Sequence, residues 1–148
     1  MVELSGGCLC GSIRYTILQQ PILAYTCNCR FCQKDTGTAY RSALSILNEN
    51  VEISGKDFSV YTYQSVEHGR ELYKNFCPDC GTTISLKTER FPDRQVIMIG
   101  TLDDPSQIEL STHMFVEEAF NWVEFPKDHL AYLRHRINED GTPASPIK

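Results

Sequence analysis

The sequence predicts a mainly β, strand-rich fold, a barrel or sandwich, with metal-ligating cysteines and a short C-terminal helix. Three observations predict it: short runs in which apolar and polar residues alternate, turn residues that punctuate them at regular intervals, and cysteines gathered into clusters. Ile13, Tyr15 and Ile17 alternate with Arg14 and Thr16, the period of a half-buried strand that leaves the first cysteine pair. The run from Ile22 to Thr26 reads as a second strand and delivers Cys27. A helical turn follows over Arg30 to Thr36. Strands are expected over Arg41 to Leu47, Val51 to Ser54, Phe58 to Gln64 and Glu71 to Phe76, separated by Asn48-Glu49-Asn50, Gly55 and His68-Gly69. Thr83 to Thr88, Gln95 to Leu102 and Ile108 to Phe115 complete the series. Pro126 then opens a helix through Arg134, because a proline in the first turn loses no hydrogen bond. Residues 138–148 are polar, with Gly141, Pro143 and Pro146, and read as a flexible C-terminal tail after a domain of residues 1–137.

A chain of 148 residues is the size of one domain, with no internal repeat. Its 14 Lys and Arg against 19 Asp and Glu leave a formal charge of −5. That balance argues against a nucleic-acid partner, whose phosphates call for a basic domain, and against a basic membrane-surface module. The longest apolar run, Val96 to Ile99, is far shorter than the ~20 residues that span a bilayer. Met1 to Ser5 show neither a basic nor an apolar leader segment, so a cytoplasmic location is expected.

Seven cysteines stand out, at 8, 10, 27, 29, 32, 77 and 80. They are too few for a secreted disulfide scaffold, odd in number, and none stands alone. Cys8-x-Cys10 presents two sulfurs to one face of an extended chain. Cys29 and Cys32 have the spacing of one helical turn, and Cys77-Pro78-Asp79-Cys80-Gly81 is a tight turn that brings two sulfurs together. Seven ligands divide most naturally as four plus three. Cys8, Cys10, Cys77 and Cys80 close a saturated structural site, and Cys27, Cys29 and Cys32 cap one face of a metal whose fourth position stays open. A second division stays open at this point: Cys29 and Cys32 with Cys77 and Cys80 form a zinc ribbon and leave Cys8, Cys10 and Cys27 over. A third makes all seven structural or redox thiols. Zinc is the metal the donor set favours, although thiolates also suit iron and copper(I).

Gly7-Cys8-Leu9-Cys10-Gly11, Cys27-Asn28-Cys29-Arg30-Phe31-Cys32-Gln33-Lys34 and Phe76-Cys77-Pro78-Asp79-Cys80-Gly81-Thr82 resemble the glutathione-dependent formaldehyde-activating enzyme family, the CENP-V/GFA domain family. The resemblance runs from about Ser5 to Trp122. It implies the Mss4-like, or β-tent, fold, with a structural zinc on Cys8, Cys10, Cys77 and Cys80 and a second, activity-linked zinc on Cys27, Cys29 and Cys32, hence two zinc ions per chain. The reaction it implies is condensation of formaldehyde with glutathione to S-(hydroxymethyl)glutathione, that of a carbon–sulfur lyase. Asn28 departs from the pattern, because many members carry histidine there.

A thiol partner such as glutathione carries carboxylates, and Arg30, Lys34 and Arg41, in or just after the central motif, are the candidates to meet them. His68 and His113 are lone histidines of the kind that more often serve the surface or core than a metal, and His129 and His135 read as the surface of the C-terminal helix. Trp122, Phe120 and Phe125 read as core before pocket wall. Two function classes compete: a zinc-dependent carbon–sulfur lyase acting on a thiol adduct, and a non-enzymatic zinc module that binds a protein partner. A thiol redox protein built on Cys77 and Cys80 ranks below both, because no βαβ context accompanies the pair.

Overall fold

The computed structural model describes residues 3–147. The chain forms two compact units, one of Met1–Leu23 and Leu44–Gln107, the other of Ala24–Ala43 and Ile108–Lys148.

In the first unit, β1 (Leu4–Gly7), β2 (Ile13–Ile17) and β5 (Val51–Gly55) form an open antiparallel sheet in the order β1-β2-β5. The alternation read from the sequence sets its inner face: Ile13, Tyr15 and Ile17 are buried while Arg14 is exposed. Arg14 reaches across to ion-pair with Asp103. β1 was not legible in the sequence, because Ser5-Gly6-Gly7 has none of the β-branched or aromatic residues that mark a strand. Its glycines answer a packing demand. A Cβ on Gly6 would lie 2.3 Å from the Tyr15 hydroxyl and 2.4 Å from the Thr101 carbonyl oxygen. That hydroxyl pairs with Thr101 Oγ1 at 2.7 Å.

The same unit holds an antiparallel meander of β6 (Ser59–Gln64), β7 (Glu71–Phe76), β8 (Thr83–Thr88) and β9 (Arg94–Met98). β6 pairs β7 from Ser59↔Phe76 to Gln64↔Glu71, and the β7–β8 register shifts between Asn75 and Phe76. A register shift there bends the strand immediately before Cys77. The Asn75 amide donates to Ser85 Oγ at 2.9 Å and satisfies both polar groups inside the sheet. The strand expected over Gln95 to Leu102 is shorter, because Ile99–Thr101 turns into a 3-10 helix.

In the second unit, β10 (Thr112–Met114) runs parallel to β3 (Leu23–Cys27) and to β11 (Leu130–Ala131). The single α-helix among the described residues, α1 (Arg30–Thr36), matches the predicted helical turn and ends at Gly37, whose φ of 70° takes the left-handed cap. β4 (Arg41–Leu47) carries the boundary between units, and Ala43, Leu44 and Ile46 in it are fully buried.

The mainly β fold class is borne out, with two corrections. The sheet of β1, β2 and β5 is open rather than closed into a barrel, and the C-terminal helix does not form. Pro126 opens a turn, closed by the His129 N–H on the Pro126 carbonyl at 3.1 Å, and Leu130–Ala131 then joins the ladder beside β10. Nine residues are too few to hold a helix without packing, so the available strand edge decides the conformation. The expected strand over Ile108 to Phe115 contracts to Thr112–Met114, because Phe115 adopts a left-handed φ of 57° and ends it. Residues 138–147, read as a tail from their composition, carry backbone bonds from Ala144 N–H to the Arg136 carbonyl and from Ile147 N–H to the Ala131 carbonyl.

Gly6→Ala is expected to cost about 1–3 kcal/mol, the usual penalty of overpacking, read as a lower denaturation midpoint. Adding Tyr15→Phe should not restore it, because the Thr101 carbonyl still stands in the way of the methyl.

Candidate metal centres

The four-cysteine set lies in the first unit. Cys8 and Cys10 sit in the turn between β1 and β2, where the Cys8 N–H bonds the Ile13 carbonyl and the Gly11 N–H returns to the Cys8 carbonyl. Cys77 and Cys80 sit in the turn between β7 and β8. There the Gly81 N–H bonds the Cys77 carbonyl, and Gly81 takes a φ of 77° that other residues adopt only at a cost. The Leu9 N–H donates to Thr82 Oγ1 at 3.1 Å and links the two turns directly.

All four sulfurs lie within 4.8 Å of one another, with Cys8 and Cys10 3.7 Å apart and Cys10 and Cys77 3.8 Å apart. Sulfurs bound to one tetrahedral zinc at about 2.3 Å stand roughly 3.8 Å from each other, whereas a disulfide is about 2.05 Å. The sulfurs are therefore spaced for an ion and not for a crosslink. The Ile13 N–H points at Cys8 Sγ at 3.3 Å and the Asp79 N–H at Cys77 Sγ at 3.4 Å, the donors a thiolate needs. Burial pushes the Cys77 thiol up to about 11, while the hydroxyl and N–H of Thr82 bring Cys80 down to about 5.

The three-cysteine set lies in the second unit and is local. Cys27 ends β3, Cys29 caps α1, and Cys32 closes its first turn, so three sulfurs come within 4.8 Å from six residues of chain. Cys29 Sγ accepts the Cys32 N–H at 3.3 Å and stands 3.5 Å from Cys27 Sγ. Cys27 is held well above the ordinary thiol range by hydrogen bonds to Cys29 and Cys32 and by burial. Cys32, which receives hydrogen bonds from Cys27 and Cys29 and faces Arg41, is held well below it. Among the described residues, no histidine or carboxylate joins either set.

Two buried amides fix this segment. Asn28 is fully buried and donates to the Met114 carbonyl at 3.0 Å and to Thr26 Oγ1 at 3.3 Å. Its place in the central motif is thus taken up with holding Cys27 and Cys29 onto β10. The Gln33 amide donates to the Asn28 carbonyl at 2.8 Å and to the Glu118 carbonyl at 2.9 Å, and its oxygen accepts Arg30 Nη1 at 2.8 Å. The series of hydrogen bonds continues from Thr26 Oγ1 to His113 Nδ1 at 2.8 Å and from His113 Nε2 to His129 Nδ1 at 2.9 Å. His129 is therefore not a helix-surface residue but a partner of the buried His113. Nothing in its sequence neighbourhood signals that pairing.

α1 also forms one wall of a cleft of about 540 Å³ lined by Arg30, Gln33, Lys34, Thr38, Phe120 and Trp122. Arg30 and Lys34, two of the candidates, lie on it. Arg41 does not, being 3% exposed and bonded to Cys32 and Asp35. Trp122 is 69% exposed, with its ring 5.7 Å from that of Phe120, so it belongs to the cleft rather than the core. Phe125 packs instead on His113. His68 sits in the β6–β7 turn beside Glu67, and His135 Nδ1 accepts the Ile137 N–H.

The family model described as glutathione-dependent formaldehyde-activating enzyme matches residues 3–118. Among solved structures, a crystal structure of a Rhodobacter sphaeroides protein is similar with a TM-score of 0.54 at 18% identity, over 72% of this chain and 96% of that chain. At that identity the similarity bears on the fold alone. No curated protein matches the sequence.

The four-cysteine set joins turns 67 positions apart in sequence, whereas the three-cysteine set joins residues already adjacent. Cys77→Ser or Cys80→Ser is expected to remove most of the ~5–15 kcal/mol that keeps a domain folded, read as loss of soluble protein or of a cooperative melt. Cys29→Ser should leave the melt close to that of the parent. Equal losses at the two sets would contradict the contrast.

Proposed function

The chain belongs to the glutathione-dependent formaldehyde-activating enzyme family, and from that premise we propose that it is a zinc-dependent carbon–sulfur lyase. Its substrate is the adduct of glutathione, or a related thiol, with formaldehyde or another small carbonyl, as in S-(hydroxymethyl)glutathione synthesis. Cys8, Cys10, Cys77 and Cys80 hold a structural zinc, and Cys27, Cys29 and Cys32 hold a second. The observation that carries the reading is a three-sulfur set that no further residue completes among those described, built on the helix that also walls a cationic, aromatic cleft.

When bound by three sulfurs, zinc supplies a soft Lewis acid that favours a thiolate over water. The bond made is carbon–sulfur: the thiolate adds to the carbonyl carbon and the carbonyl oxygen takes a proton to become the hydroxyl. The reverse reaction breaks the same bond and returns the proton. Lys34 and the Gln33-braced Arg30 attract the carboxylates of the thiol's peptide body, and Phe120 and Trp122 give that body an apolar wall. Asn28 and Gln33 keep Cys27, Cys29 and α1 from shifting as the cleft fills. Holding thiol and carbonyl together makes a bimolecular addition nearly unimolecular.

Metal content per chain, measured on protein purified without chelator and again after glutathione, tests the reading. Two zinc ions, one of them perturbed by the thiol, support it. One zinc that ignores glutathione points instead to a zinc module without this activity. In the lyase assay, followed by NMR of the hydroxymethyl adduct, Arg30→Gln with Lys34→Gln is expected to raise KM about tenfold, the scale of an exposed charge-assisted contact, with kcat little changed. Unchanged KM would remove both residues from the site.

A further inference from the structure

Among the described residues, Arg41 is the only arginine or lysine buried from solvent. It opens β4 and faces three residues of α1. Its Nε–H donates to Cys32 Sγ at 3.4 Å, its Nη2 meets Asp35 Oδ2 at 2.5 Å, and its guanidinium stands 5.8 Å from the Phe31 ring. A guanidinium keeps its charge at all working pH values, and burying one is costly unless anions receive it. Asp35 supplies one. The other is a sulfur of the three-cysteine set.

We propose that Arg41 is a positioning residue of the three-cysteine centre: a fixed counter-charge that takes up electron density from Cys32 and lets the centre accept an anionic sulfur ligand. The proposal rests on the reading that this set holds a metal and takes a thiolate. Three thiolates and a divalent ion sum to −1, so an incoming thiolate meets repulsion in a partly buried place where charges are poorly screened. An N–H donated to a coordinating sulfur weakens that sulfur's donation and strengthens the metal's pull on a fourth ligand. Cys32 is the sulfur so treated; Cys29 instead accepts a backbone N–H. Asp35 works in the opposite sense, because it draws the same guanidinium toward itself. Removing Arg41 and removing Asp35 must therefore shift the centre in opposite directions. A purely structural ion pair predicts no such opposition.

Cobalt(II)-loaded protein reports this through its sulfur-to-cobalt absorption, titrated with 2-mercaptoethanol. That thiol lacks carboxylates, so Arg30 and Lys34 do not enter the result. Arg41→Gln is expected to weaken thiol binding about tenfold, within the range of supporting-shell changes at metal sites, and to move the absorption band. Asp35→Asn should tighten thiol binding and move the band the other way. Arg41→Lys keeps the charge but loses the Nε–H fork, and should fall between parent and Arg41→Gln. If Arg41→Gln does not fold, the opposed shifts of Arg41→Lys and Asp35→Asn still decide. Parent-like thiol affinity in the Arg41 variants, or shifts in one direction for both positions, overturns the proposal while the thiol-binding reading stands. A parent protein whose cobalt spectrum ignores the thiol overturns both.

Discussion

The convergence of four sulfurs from two distant turns is the constraint on which the first unit depends. Apart from the sulfurs, the two turns meet through a few hydrogen bonds, from Leu9 N–H to Thr82 Oγ1 and from Ser12 Oγ to Asp79. Each turn closes with two backbone bonds and a left-handed glycine, Gly11 in the first and Gly81 in the second. Between them they fix the entry to β2 and the exit of β7, and hence the faces those strands show. The register shift at Asn75 and Phe76 belongs to the same arrangement, because it comes one residue before the first sulfur of the second turn.

The second unit solves a different problem. Its three sulfurs come together from local geometry alone, and its stabilising interactions go into keeping that geometry still. Asn28 and Gln33 are buried amides whose donors reach backbone carbonyls of other segments, a use of side chains that specifies position more than it adds stability. Arg41 and Asp35 add a charge arrangement to the same short helix. A set held this way can leave one face of its sulfurs uncommitted, because its cysteines do not have to carry the fold as well.

Much of this was legible in the sequence for physical reasons that can be named. The Ile13-Tyr15-Ile17 alternation reports a one-sided strand, and cysteine spacing reports sulfur sets, because both are local patterns with local causes. Three things were not legible. β1 hides behind glycines that are there to admit Tyr15, so its composition reads as a turn. The segment from Pro126 has a helix-start signal, yet it lies where β10 offers an open edge, and local propensity yields to the ladder. Arg41 looks like any cation following a binding motif. Only the fold shows that Cys32, Phe31 and Asp35 converge on it, and that Trp122 faces the cleft instead of the core.

The difference between a local and a distant sulfur set also has a consequence in time. The three-cysteine set is complete once Cys32 has been synthesised, but the four-cysteine set must wait for Cys80. At about 5–20 residues per second that gap of 48 positions lasts roughly 2–10 s. Throughout it, Cys8 and Cys10 stand as an incomplete pair upstream of a finished trio. Newly made chains therefore pass through an order of assembly that the finished protein does not reveal, with the local sulfur set whole while the distant one is still half made.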